Sequence, residues 1–398
     1  MKSAFAFLAL FLCSFLSYAQ PATIAFDSTA WPAVLKRAKQ EHKPIFVYAY
    51  APGCRYCKKM EQTTFRDKAA ATYYNATFLA YKVNVAADTA FARRYDIVGF
   101  PTYLYFDSTG QPLHRSSGEK PTAAFLADAQ AAFQPSTAFY ALQHQYEAGN
   151  RTPDFLYRYG QALQYSTQHH KPQAQVLTEY LVTQSAEQLK SEKTLRYIFE
   201  QNTPPADEFV VQHQAYFTPY FPATAVQKRA YRILESRARQ AGSSSQNEDF
   251  KSVRHLAYTA FTDTARANAT AVINFWEGRH DWFRYAQATR RYSQLPQPDS
   301  YTLRKTATYL YHFGKEQGPQ KQQEALGEIL NVLPILLRQE RTYESLLLAA
   351  RLAQQAHRPV QARQFAQEAL TQAQQEHETG DEAKALLTTL PASPTQKQ

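Results

Sequence analysis

The chain has 398 residues, 44% of them hydrophobic and 20% charged, with only 12 Gly against 27 Tyr and 25 Phe. That length exceeds one ordinary core and that composition excludes a disordered chain, so two or more folded domains are expected, rich in helix because glycine is scarce. The net charge of +10 is scattered, in pairs such as Arg93-Arg94 and Arg290-Arg291, rather than gathered on one element, which argues against a nucleic-acid partner.

The predicted elements begin with a targeting segment. Lys2, the apolar run from Ala4 to Leu16 and the small Ala19 read as a signal peptide over residues 1–19, cleaved after Ala19. Export to the periplasm or the extracellular space is expected. No later segment is apolar enough to span a membrane, so no stable transmembrane span is expected after cleavage. Cys13 leaves with the signal, and Cys54 and Cys57 are the cysteines of the mature chain.

From Ala30, "TAWPAVLKRAKQEHK" reads as a helix with Pro32 in its first turn. Pro44 to Tyr50, "PIFVYAY", is an apolar run of strand length, suited to a strand covered on both faces. "CKKMEQTTFRDKAAATYY" reads as one helix, "TFLAYKVNV" as a strand, "DTAFARRYDI" as a short helix, and "TYLYFD" as a strand. A turn at "DSTGQ" leads to "PLHRSS", and "KPTAAFLADAQAAF" closes with a helix. This order predicts an α/β domain over residues 20–135. Past Pro135 the strand signal vanishes. Helical segments broken at "EAGNRTPD", "NTPPAD" and "LPQPDS", among others, predict an all-α domain over 136–398, an irregular array of hairpins similar to tetratricopeptide units. In the final hairpin, Ala350, Ala353, Ala362, Ala366 and Ala369 are small enough for close packing. Around "EGRHDWFRYA", Asp281 is expected at a helix cap, with Trp282, Tyr285 and Ala286 on the packed face.

The pair Cys54-x-x-Cys57 carries the chemistry. A structural zinc site needs four ligands, and no further cysteine is at hand; His42 and His114 are solitary and read as surface residues. Covalent haem attachment needs His after the second cysteine, where Lys58 stands. Thiol–disulfide exchange fits, with a permanent local disulfide as the alternative. Cys54 falls where a strand ends and a helix begins, and helix N-terminal N–H groups stabilise a thiolate there. Cys54 is then the attacking thiol and Cys57, one turn in, the resolving one. No metal or cofactor is called for. The partners are protein thiols or disulfides together with a thiol reductant or oxidant.

The stretches "PIFVYAYAPGCRYCKKME" and "VGFPTYLYFDSTG" resemble the thioredoxin family over about residues 23–133. The resemblance implies a thioredoxin fold with a cis proline at Pro101 beside the cysteine pair. It also implies a substrate-binding segment at Phe100, Pro101 and Thr102, whose backbone holds an extended chain, with Tyr56 adding to the platform. "CKKMEQTTF" is similar to the C-terminal periplasmic domain of the transmembrane disulfide reductase. That implies for Glu61, four residues beyond Cys57, a role in taking the resolving thiol's proton or in raising that thiol's pKa. The sequence departs from thioredoxin at Tyr48, where the family has a buried aspartate, at Gly53, where an aromatic residue is usual, and at Arg55-Tyr56 in place of Gly-Pro. Two functional classes follow: an exported thiol–disulfide oxidoreductase whose helical domain binds a partner or substrate, or a non-catalytic binding or scaffold protein whose thioredoxin fold is a structural module.

Overall fold

A computed structural model describes residues 23–166, 171–244 and 247–391. The expected signal peptide lies outside the described residues. The chain divides into two compact units, Met1–Ala206 and Asp207–Gln398.

In the first unit the run "IFVYAY" becomes β2, Ile45–Tyr50. Its period-two alternation sends Phe46 and Tyr48 to one face and Ile45, Val47 and Ala49 to the other, and all five are fully buried. β2 is therefore central. Around it lie β1 (Phe26–Asp27), β3 (Leu79–Asn84), β4 (Thr102–Phe106) and β5 (Pro112–Ser117) in the order β1-β3-β2-β4-β5. β1 and β2 run parallel to β3, whereas β4 is antiparallel to both β2 and β5. α1 (Trp31–Glu41) and α4 (Thr89–Arg94) give Val34, Ala38 and Phe91 to the core on one side. α2 (Arg55–Gln62), α3 (Lys68–Thr77) and α5 (Thr122–Ala131) give Cys57, Met60, Ala70, Tyr74, Phe125 and Ala129 to the core on the other.

Three details differ from the sequence expectation. The single helix expected from Cys57 to Tyr74 is broken: α2 stops at Thr63, whose φ of −118° and ψ of −85° are not helical, and a 3-10 turn covers Thr64–Arg66. Two adjacent β-branched threonines weaken the helix, and Asp67 starts a new one by accepting the N–H groups of Ala69 and Ala70. β1 is too short to stand out as a strand and exists through its pairing with β3.

The third correction concerns His114, expected at the surface. It is 6% exposed. Its Nε2 lies 3.2 Å from the Asp128 carboxylate, and its Nδ1 accepts the N–H of Phe139 at 3.0 Å. The cause is the chain that follows the sheet. α6 (Phe139–Glu147) packs on β5, followed by α7 (Pro153–Gln164). The neighbouring Arg115 is buried as well, and its guanidinium donates to the carbonyls of Tyr95, Asp96 and Ser166, each at 2.9 Å. One side chain thus ties β5 to the end of α4 and to the residues after α7.

The second unit is helical throughout its described residues. Asp281 caps its helix by accepting the Arg284 N–H at 3.1 Å, and Trp282, Tyr285 and Ala286 are buried. In the last hairpin, Tyr343–Gln355 against Pro359–Gln375, the five expected alanines are fully buried. Helices Ala223–Ser243 and Thr264–Gly278 approach so closely that a Cβ on Gly242 or Gly278 would fall about 2 Å from a backbone carbonyl of the other. No helix among the described residues is long and apolar enough to cross a membrane.

Candidate functional site: the Cys54-Cys57 corner

The site begins where β2 runs out. Pro52 and Gly53 form a tight turn closed by the Cys54 N–H donating to the Ala51 carbonyl at 3.3 Å. Gly53 has φ +80°, which suits the third position of a type II turn after proline. This explains the absence of an aromatic residue before Cys54: a bulky side chain is strained in that conformation.

Cys54 is the N-cap of α2. Its backbone is extended, its carbonyl accepts the Lys58 N–H at 3.1 Å, and its Sγ accepts the Cys57 N–H at 3.1 Å. Cys54 and Cys57 are joined as a disulfide with their Cα atoms 5.3 Å apart. Cys54 is partly exposed, whereas Cys57 is 2% exposed and belongs to the aromatic core of Tyr48, Phe65 and Tyr103. The two sulfurs therefore differ in access: Cys54 can be approached from solvent and Cys57 only through Cys54.

The Phe100–Pro101 peptide bond is cis. Thr102 pairs with Ala49 across β4 and β2, which sets the 98–101 loop beyond the same strand end that delivers Cys54. Pro101 and Thr102 are buried. The Thr102 hydroxyl donates to the Gly99 carbonyl at 2.8 Å, and the Pro101 carbonyl accepts the Gly118 N–H at 2.9 Å. Those contacts fix the loop. Phe100 is left 36% exposed, with Val98 at 54% and Tyr56 at 45%. Val98 has no motif to announce it in the sequence; the exposure of an apolar side chain beside the loop is what marks it. Tyr50 lies on Tyr48, with ring centroids 5.7 Å apart, and under Lys82.

Glu61 is not simply a solvent-facing helix residue. Its Oε1 accepts the Tyr48 hydroxyl at 3.1 Å and lies 2.8 Å from Lys82 Nζ. Tyr48 and Lys82 are direct neighbours across β2 and β3. Burial, and then the Glu61 charge, push the Tyr48 phenol well above its ordinary pKa, so it stays protonated and donates. At the strand position where the thioredoxin pattern has an aspartate, the Tyr48 hydroxyl thus meets a carboxylate carried on α2. Glu61, Lys82, Phe26, Phe65 and Arg66 line an open cleft of about 450 Å³. Lys82 escapes a motif search because only strand register brings it to Glu61.

This geometry belongs to a known class. Residues 31–133 match the family model described as a thioredoxin-like domain, and the chain is a thioredoxin-like α/β domain followed by a largely helical region. Among curated proteins it is similar to the thiol:disulfide interchange protein DsbD of Salmonella typhi, 34% identical over 95 residues, and to that of Vibrio vulnificus, 33% identical over 101. These matches cover 23% and 24% of this chain and 17% of each relative, so the chain spans less than a fifth of the length of those relatives. Similar solved structures include a putative disulphide-isomerase from Bacteroides thetaiotaomicron, 28% identical with a TM-score of 0.27, covering 29% of this chain and 98% of that one. A DsbH oxidoreductase is 21% identical with a TM-score of 0.26, covering 29% and 91%.

Proposed function

We propose that the protein is an exported thiol–disulfide oxidoreductase acting on protein substrates. The observation that carries this reading is the asymmetry of the pair: an accessible Cys54 at a helix N-cap and a buried Cys57 behind it. In the reducing direction the Cys54 thiolate attacks a substrate disulfide, forming a Cys54–substrate bond and releasing one substrate thiolate. The Cys57 thiol gives its proton to Glu61 and attacks Cys54 Sγ. The Cys54–Cys57 disulfide forms and the second substrate thiolate leaves, so two electrons pass from the dithiol to the substrate. A thiol reductant then restores the dithiol; with an oxidant the sequence runs backwards. Phe100, Pro101 and Thr102 hold the substrate backbone, and Tyr56 and Phe100 supply an apolar platform.

Export rests on the N-terminal pattern of residues 1–19, and the helical region, as an irregular hairpin array beyond residue 135, serves to bind a partner or substrate. Insulin reduction with a dithiol donor tests the activity: the wild type is active and Cys54→Ser is not. Equal inactivity of the two with each donor tried would overturn the reading. Cys57→Ala should trap clients as mixed disulfides through Cys54, seen as reductant-sensitive bands on a non-reducing gel; clean monomer contradicts exchange.

A further inference from the structure

We infer that the partner polypeptide carries an acidic segment beside its disulfide, and that the cationic first turn of α2 selects it. The inference rests on the exchange reading above and adds the substrate class.

Arg55 and Lys58 are exposed and flank Cys54 on the first turn of α2. Arg55 donates to the Tyr56 hydroxyl at 2.6 Å and covers that ring, which holds its guanidinium on the cysteine's turn of the helix. Among the described residues neither Arg55 nor Lys58 has a carboxylate partner. The acids close to them in the fold are paired with other lysines: Glu119, whose charge also reaches Arg55, lies 2.6 Å from Lys59, and Glu61 lies 2.8 Å from Lys82. α4, which leads into the cis-proline loop, also ends in the exposed Arg93 and Arg94, followed by Asp96 as the single carboxylate between Arg94 and the cis proline.

The cysteine turn and the cis-proline loop also carry the exposed Tyr56, Val98 and Phe100. An apolar strip with a cationic border fits a peptide that has apolar residues next to its cysteine and Asp or Glu further out. The partial positive charge of the α2 N-terminus acts in the same sense. A second copy of this chain, itself at +10, is repelled by such a border and is a poor occupant. Steering of this kind changes association rates by roughly ten- to a thousandfold and fades as salt shortens the Debye length.

The test uses full-length protein, reduced beforehand so that a single turnover needs no external donor, and mixed with two synthetic peptide disulfides. The peptides are identical except for four flanking positions, Glu in one and Lys in the other. The second-order rate for the Glu peptide should exceed that for the Lys peptide by about tenfold or more at low salt, with the ratio falling towards one near 1 M salt. In the double variant Arg55→Glu, Lys58→Glu the ratio should invert; taking a ratio cancels any change in the intrinsic reactivity of Cys54. Equal rates, a preference for the Lys peptide, or a ratio unmoved by the double variant overturns the inference. Absence of reaction with either peptide, and with a small aromatic disulfide, brings down the exchange reading and this inference with it.

Discussion

At the scale of single residues, Tyr48 is the instructive position. In sequence it reads as the loss of a buried acid; in the fold its hydroxyl donates to Glu61, which also meets Lys82. The ring fills the strand site, and its hydroxyl faces a carboxylate. Tyr48→Phe keeps that ring and removes one hydrogen bond to a charged group, an interaction of about 1.5–3 kcal/mol. The expected outcome is a mixed disulfide that lives roughly tenfold longer in rapid-quench experiments, while the first attack by Cys54 keeps its rate. An unchanged lifetime would remove Tyr48 from the resolving step. The cysteine spacing, Gly53 and Glu61 could all be picked out in the sequence because they lie within one turn and one helix. Lys82 could not, since its place depends on register between strands 34 residues apart (48 to 82).

At the scale of elements, the helices of this glycine-poor chain end in an unusual way. His42, His280, His357 and His377 have φ between 51° and 59°, left-handed positions that glycine ordinarily fills. In each case the next N–H reaches back across the helix end: Lys43 to Ala38, Asp281 to Trp276, Arg358 to Ala353 and Glu378 to Ala373, at 2.9–3.1 Å. Gly149 and Asn150 make the same closure with the expected residue. His357 is exposed, so His357→Gly should relieve the Cβ strain and raise the unfolding free energy by about 0.5–1 kcal/mol, read by denaturant titration. A lower value would mean that the imidazole itself holds the turn. The helix start at Asp281 and the break at "LPQPDS" were legible from their cap and turn residues, whereas the stop at Thr63 was not. Helical periodicity continues through it, and the Thr63-Thr64 pair together with the Asp67 cap makes the break.

At the scale of the molecule, β5 of the first unit buries His114, Arg115 and Ser116, although His114 reads as a surface residue in the sequence. A strand read as "PLHRSS" looks half-solvated until α6, some twenty residues later, covers it. Burial pushes the Asp128 carboxyl up, but the hydrogen bond from His114, the Lys120 charge 3.6 Å away and the Ser116 hydroxyl outweigh it and hold the group below the ordinary carboxylate range. A depressed carboxylate adds stability above its unfolded pKa of about 3.9, and that stability is lost as pH falls through the lower folded value. Wild type should therefore lose stability as pH drops from about 5 towards 2. Asp128→Asn should be less stable at pH 7 by about 2 kcal/mol or more and show a flatter profile over that range. Identical acid profiles would exclude this carboxylate as a source of the dependence.

The N-cap position of Cys54 has a thermodynamic meaning beyond reactivity. The loop that the disulfide closes is too small to constrain the unfolded chain much, so what separates the two redox forms is how well each sulfur state caps α2. Oxidation and unfolding then form two edges of one closed cycle. Whichever form unfolds at greater cost is the form the fold favours, and each 1.4 kcal/mol of difference corresponds to about 30 mV in the potential of the pair. Two melting curves, one for the dithiol and one for the disulfide, therefore report which redox form the fold favours and how far folding moves the potential, with no client protein in the tube.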